Sequence, residues 1–85
     1  MESYSFIPKG VCSTLIEFDI DNEGKIHNLR FTGGCNGNLK AIGKLVEGKD
    51  AREVAMILRG NDCSGRGTSC ADQLAIAIEQ AISQM

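Results

Sequence analysis

Tryptophan is absent from this 85-residue chain, and proline, histidine and tyrosine occur once each. Long apolar runs are absent too. No stretch approaches the roughly 20 residues a bilayer span needs, which excludes a transmembrane helix. There is no basic cluster, and Lys plus Arg number 9 against 11 Asp plus Glu, for a net charge of −2. Generic electrostatic binding of nucleic acid is therefore not expected. The opening Met1-Glu2-Ser3-Tyr4 has neither a basic n-region nor an apolar h-region. A secretory signal is not expected, and the expected compartment is the cytoplasm. A disordered tail is excluded by 42% apolar and 24% charged residues at so small a net charge. The length allows one domain, expected over residues 1–85.

Four cysteines are what the sequence does have: Cys12, Cys35, Cys63 and Cys70. In the cytoplasm disulfides are rare, so four thiols in a small domain read first as metal ligands or redox groups. A chain this short buries little more than half of its unfolded surface, and a structural metal would add stability it lacks.

The pattern of apolar residues places these cysteines. Residues 1–10, with Pro8 and Gly10, read as an irregular lead-in. Ile16, Phe18 and Ile20 alternate with Glu17, Asp19 and Asp21, which predicts a half-buried strand over about 12–20. Asp21-Asn22-Glu23-Gly24 is a turn, and residues 25–32 are the return strand with Leu29 and Phe31 on its apolar face. Leu39, Ile42, Leu45 and Val46 then recur at helical spacing, and Gly48 marks the stop. Asp50 with Glu53 forms a capping box for a second helix bearing Val54, Ile57 and Leu58, which Gly60 ends. Residues 60–68 read as a polar loop. Ser69 with Asp72 caps a last helix over about 70–84, with Leu74, Ile78, Ala81, Ile82 and Met85 along one side. The predicted order is β-β-α-α-loop-α: an α+β fold with a small antiparallel sheet, a β-hairpin, and three helices packed on one face.

In that frame all four cysteines fall at element ends, in Gly-rich or polar surroundings, and none sits mid-face where core cysteines usually lie. Pairing through the turn at 21–24 brings the start of strand one near the end of strand two, and with them Cys12 and Cys35. Cys70 opens the last helix, and Cys63 lies in the loop leading to it. The partial positive charge at a helix start favours thiolate, the form that binds metal. Four thiolates suit Zn²⁺ or an iron–sulfur centre. No Cys-x-x-Cys knuckle occurs, so the spacing alone leaves metal, redox thiols and ordinary buried cysteines open.

Other candidate sites are weaker. The glycine-rich segment at Gly34 and Gly37, and the segment Arg66, Gly67, Thr68 and Ser69, could offer backbone N–H groups to an anion or nucleotide at a helix start. Neither matches a Walker A or dinucleotide fingerprint. Asp19, Asp21, Glu23 and Gly24 look like the start of a calcium loop, but its twelfth position is Arg30, and calcium is rejected. His27 reads as a surface or sheet-face residue rather than a ligand, and Glu17, Asp19 and Asp21 as a solvated strand face.

Thr68-Ser69-Cys70-Ala71-Asp72-Gln73 resembles the signature of the TSCPD-domain family. Cys63-Ser64-Gly65-Arg66-Gly67 and Gly33-Gly34-Cys35-Asn36-Gly37-Asn38 fit a branch of small proteins in that family, and the likeness covers nearly the whole chain. Ala71 stands where the signature has Pro, a change that should cost little in the first turn of a helix. TSCPD domains also close adenosylcobalamin-dependent ribonucleotide reductases. The resemblance thus implies an association with ribonucleotide reduction, though 85 residues cannot hold a reductase barrel, radical generator and nucleotide site.

The chain is similar, more distantly, to iron–sulfur scaffold proteins of the IscU/NifU type. Cys12, Cys35 and Cys70 look like that family's three cluster cysteines. Thr14 stands where the scaffold has Asp, and Ser69 where it has His. Cys63 has no counterpart there and could replace the His as a fourth ligand. Without the labile Asp and His, the resemblance implies a closed, stable site.

These readings together lead to a four-cysteine metal-binding module, holding Zn²⁺ or less readily an iron–sulfur cluster. Its expected partner is a protein, either a ribonucleotide reductase or iron–sulfur machinery. The alternatives are a cluster-assembly or sulfur-carrier scaffold and a thiol-redox protein using Cys63 and Cys70. Catalysis by the isolated domain is not expected.

Overall fold

The computed structural model describes residues 1–11, 13–34, 36–61 and 68–84, with 36–38 described by their backbone alone. Three antiparallel strands, β1 (Glu2–Phe6), β2 (Ser13–Ile20) and β3 (Ile26–Gly33), form one sheet in the order β1-β2-β3. Three helices follow: α1 (Asn36–Val46), α2 (Ala51–Leu58) and α3 (Cys70–Ser83). The α+β class and the helices match the sequence reading. The strand count does not.

Residues 2–6 are not an irregular lead-in but the edge strand β1, paired with β2 from Glu2↔Ile20 to Phe6↔Ile16. Tyr4 and Phe6 alternate with Ser3 and Ser5, a period-2 pattern too short to stand out beside Pro8 and Gly10. Its stability is tertiary. Tyr4 lies opposite Phe18 in the register, and the two rings stack with centroids 5.7 Å apart. The order is therefore β-β-β-α-α-α.

The central strand follows its alternation. Ile16, Phe18 and Ile20 are buried, while Glu17 and Asp19 are half-buried on the opposite face. The turn to β3 is built by Asp21, whose Oδ1 accepts the N–H groups of Glu23 and Lys25 at 2.9 and 3.0 Å. Gly24 takes φ +80°. Within β3 the ladder slips between the Glu17 and Asp19 pairings, so two residues, Asn28 and Leu29, face one position of β2. Asn28 absorbs that bulge at φ +57°, a left-handed conformation that asparagine tolerates.

α1 stops where expected, with Gly48 at φ +75°. The link to α2 then does more than connect. Ile26 donates its N–H to the Lys49 carbonyl at 2.9 Å, and Gly48 and Ala51 donate theirs to the carbonyls of Ile26 and Gly24 at 2.7 and 2.8 Å. Residues 48–51 thereby bind along the start of β3. Asp50 and Ser69 are the N-caps of α2 and α3, accepting the N–H groups of Glu53 and Asp72, each at 3.0 Å.

The core lies between the sheet and the helices. Ile16, Phe18, Ile20 and Ile26 meet Val46, Ala51, Val54 and Ala55, with Leu74, Ala75, Ile78 and Ala81 of α3 at the centre. α3 is buried over more of its circumference than one stripe, since Ala71, Asp72, Gln73 and Ala77 are buried too. Alanines let it sit close to its neighbours. Among the described residues no helix is long and apolar enough to cross a membrane.

Candidate functional site

At one end of the sheet the first residue of β2, the end of β3 and the first residue of α3 converge. Ser13 is buried and pairs with Gly33. Cys70, half-buried, places Sγ 3.2 Å from Ser13 Oγ across 57 residues of sequence. Gly34 closes on the same point. A Cβ there would sit 3.3 Å from the Ser13 backbone nitrogen and 3.0 Å from Leu39 Cδ1, and φ at Gly34 is +81°. Only glycine meets both demands without strain.

Of the four candidate ligands, Cys70 is described, and Cys12, Cys35 and Cys63 lie outside the described residues. Cys12 directly precedes Ser13, and Cys35 directly follows Gly34. The structure therefore brings together Cys70 and the chain neighbours of two further cysteines. Among the described residues alone, no group of three or more His, Cys, Asp or Glu side chains is arranged to hold a metal ion. Of the expected donors the described one is a thiol, a type that suits Zn²⁺. Cys70 is a soft sulfur donor in a polar corner, and Ser13 supplies a hydroxyl able to donate to it.

A polar network holds this corner in place. Asp72 is buried, and its carboxylate accepts the Gly60 N–H at 2.6 Å through Oδ1 and the Thr68 hydroxyl at 2.6 Å through Oδ2. Those bonds, with the Arg59 guanidinium 3.7 Å away, hold its carboxyl below the usual carboxylate range. Gln73 Nε2 donates to Thr68 Oγ1 at 3.0 Å, and Gln73 Oε1 accepts the Lys9 N–H at 3.1 Å. Asn61 Nδ2 donates to Ser69 Oγ at 3.2 Å. No described buried side-chain polar atom lacks a partner. One carboxylate thus ties the end of α2 at Gly60 to the segment entering α3, fixing both ends of the 60–68 connection.

Of the residues expected to offer backbone N–H groups to an anion, Gly34, Gly37, Thr68 and Ser69 are described. The Thr68 and Ser69 hydroxyls are engaged inside the fold, and the Asp72 carboxylate occupies the positive end of α3. Gly37 lies in the first turn of α1. Arg66 and Gly67 lie outside the described residues. Gly34 serves close backbone packing on Ser13.

The family model for the TSCPD domain matches residues 1–82. The chain belongs to the TSCPD-domain family. Neither curated proteins nor solved structures compared with it give a match. In this TSCPD domain the signature has a structural logic. Thr68 donates its hydroxyl to Asp72, Ser69 caps α3, and Cys70 faces Ser13. Ala71 is the second residue of α3, where an N–H has no intrahelical partner, so proline and alanine leave the helix ladder the same there. The roles of Ser13, Asp72 and Gln73 were not legible beforehand. Asp72 read as half of a capping box, and its reach to Gly60 and Thr68 is a tertiary fact.

A second cluster sits at the opposite end of the sheet. His27 Nε2 lies 2.7 Å from Asp21 Oδ2, and Nδ1 lies 2.6 Å from Glu47 Oε2. Glu47 Oε1 also accepts the Asn28 N–H at 2.9 Å, and Asn28 Nδ2 donates to Asp19 at 2.8 Å. Two ionised carboxylates can only accept, so both bonds are made together only by the doubly protonated imidazolium. The bonds to Asp21 and then Glu47 raise the imidazole pKa above its ordinary value. Hydrogen bonding to Lys25 and to His27 lowers the Asp21 pKa to about 2, and the Asn28 and His27 bonds lower that of Glu47. The cluster pins the end of α1 to the β2–β3 turn, with both imidazole nitrogens engaged by carboxylates.

Proposed function

We propose that this TSCPD domain is a small metal-binding module in which Cys12, Cys35, Cys63 and Cys70 hold one Zn²⁺. We further propose that it serves ribonucleotide reduction as a docking or redox-partner domain rather than as a catalyst. The observation that carries the first part is the meeting of Ser13, Gly34 and Cys70. Cys12 and Cys35 are each one peptide unit, about 3.8 Å between Cα atoms, from a member of that group. Zn²⁺ bound there would add a cross-link between both strand ends and the start of α3, which a domain of this size can use. The reductase association follows the family, whose domain the chain matches over 82 of its 85 residues.

Metal per chain, by elemental analysis on protein purified without oxygen and alongside a visible spectrum, tests the site. The expected result is about one zinc and no colour. Each Cys→Ser change should abolish stoichiometric zinc and lower the melting temperature. Iron with sulfide would replace this reading with cluster assembly, and no metal would replace it with free redox thiols. The partner is tested by titrating the zinc-loaded chain into an adenosylcobalamin-dependent ribonucleotide reductase in a calorimeter. Absence of binding removes the second part and leaves the first standing.

A further inference from the structure

The outer side of the helical layer is not finished as a solvent surface. α1 leans on β3 and α2 on α3, so a groove opens between α1 and α2. Its volume is about 450 Å³, and Ile42, Val46 and Val54 line its floor. Leu45 and Ile57 stand on its two walls, 72% and 71% exposed. α2 is apolar on both sides, since Val54 and Ala55 enter the core while Met56 and Ile57 face out. Arg52 and Glu53 keep α2 polar at its start, but from Val54 to Leu58 it is apolar on both sides, and the outer side presents Met56 and Ile57 with no partner among the described residues.

The charges on the groove say which surface. It carries one cation, Lys49, and one anion, Glu53. Among the described residues neither enters an ion pair. A rim of one sign would select a foreign partner of the opposite sign. A balanced rim beside its own protruding Leu45 and Ile57 is complementary to itself. Under a two-fold axis each contact occurs twice, with Lys49 of one copy against Glu53 of the other and each Ile57 seated in the opposite groove.

We infer that the α1–α2 groove is the interface of a two-fold symmetric dimer of this chain. Sedimentation of the full chain under reducing conditions, from about 1 to about 500 µM, with zinc and with a chelator, tests this. The expected result is a concentration-dependent dimer in both. Ile57→Glu, at an exposed position, should leave the circular dichroism unchanged and raise the dimer dissociation constant at least about thirtyfold. Lys49→Glu and Glu53→Lys should each weaken the dimer, and the two together should restore it. That restoration is specific to self-pairing. A monomer throughout overturns the inference and leaves the groove to a foreign apolar helix. A dimer that chelation dissolves while the circular dichroism stays native, that Ile57→Glu leaves intact, or that the double exchange does not restore overturns it equally. None of these outcomes depends on the metal reading.

Discussion

Replacing Asp72 by alanine isolates what one buried carboxylate does for the 60–68 connection. Its two oxygens accept the Gly60 N–H and the Thr68 hydroxyl, both at 2.6 Å, and bonds to a charged acceptor contribute about 1.5–3 kcal/mol each. The Arg59 pairing at 3.7 Å adds little, because the guanidinium is half exposed. Water can reach part of what is vacated, since Gly60 is exposed and Thr68 half-buried, so the expected loss is about 3 kcal/mol. For a chain of this size, whose whole stability is about 4–13 kcal/mol, that is a large fraction. At about 4–8 °C per kcal/mol the melting temperature should fall by about 12–24 °C. The assay is thermal unfolding followed by far-ultraviolet circular dichroism at neutral pH. Repeating it in acid supplies the sign. The Asp72 pKa is depressed, so its contribution is full above the ordinary carboxylate value of 3.8 and is lost as pH falls through the lower folded value. Wild type and Asp72→Ala should therefore converge in acid. A drop below about 3 °C at neutral pH, or a gap that stays constant into acid, would refute the role given to this carboxylate.

Further outcomes follow from single features. His27→Gln should destabilise most at mildly acidic pH. The imidazole pKa is raised, so its contribution is complete below its ordinary 6.5 and disappears as pH rises through the folded value. The Asp21 and Glu47 contributions run the other way, present above their ordinary values and lost as Asp21 titrates toward about 2. Melting curves of both proteins across pH, with the imidazole carbon-bound protons followed by NMR, check this, and a His27 that titrates at or below 6.5 would contradict it. Gly48→Ala and Gly34→Ala separate backbone strain from the candidate metal corner. Both positions have positive φ, but nothing lies within 4 Å of a Cβ at Gly48, whereas one at Gly34 meets Leu39 and Ser13. Gly48→Ala should cost about 1 kcal/mol and leave metal content unchanged. Gly34→Ala should cost more and lower zinc per chain. Equal zinc in the two variants would detach Gly34 from metal binding.

The legible parts of this protein are those set by short-range chemistry. Ile16, Phe18 and Ile20 alternate because a strand with one buried face must, and the structure buries all three. Asp50 and Ser69 cap helices because their oxygens reach an N–H three residues on, a distance fixed by local geometry. Gly24 and Gly48 stop their elements at positive φ, a property of one residue. The signature around Cys70 marks the family by residue identity and order alone, independent of the fold.

What the sequence could not carry was pairing between distant segments. β1 is a strand because Tyr4 finds Phe18 and the edge of β2, not because five residues prefer it. Asp72 joins α2 to α3, His27 joins a turn to a helix end, and the 48–51 link lies along β3, each through partners that no spacing rule names. The same holds for the corner where Ser13, Gly34 and Cys70 meet. Sequence supplied the thiols and the glycines. The antiparallel meander with α3 laid across it supplied the convergence, because only packing decides which ends of a sheet and a helix share one place.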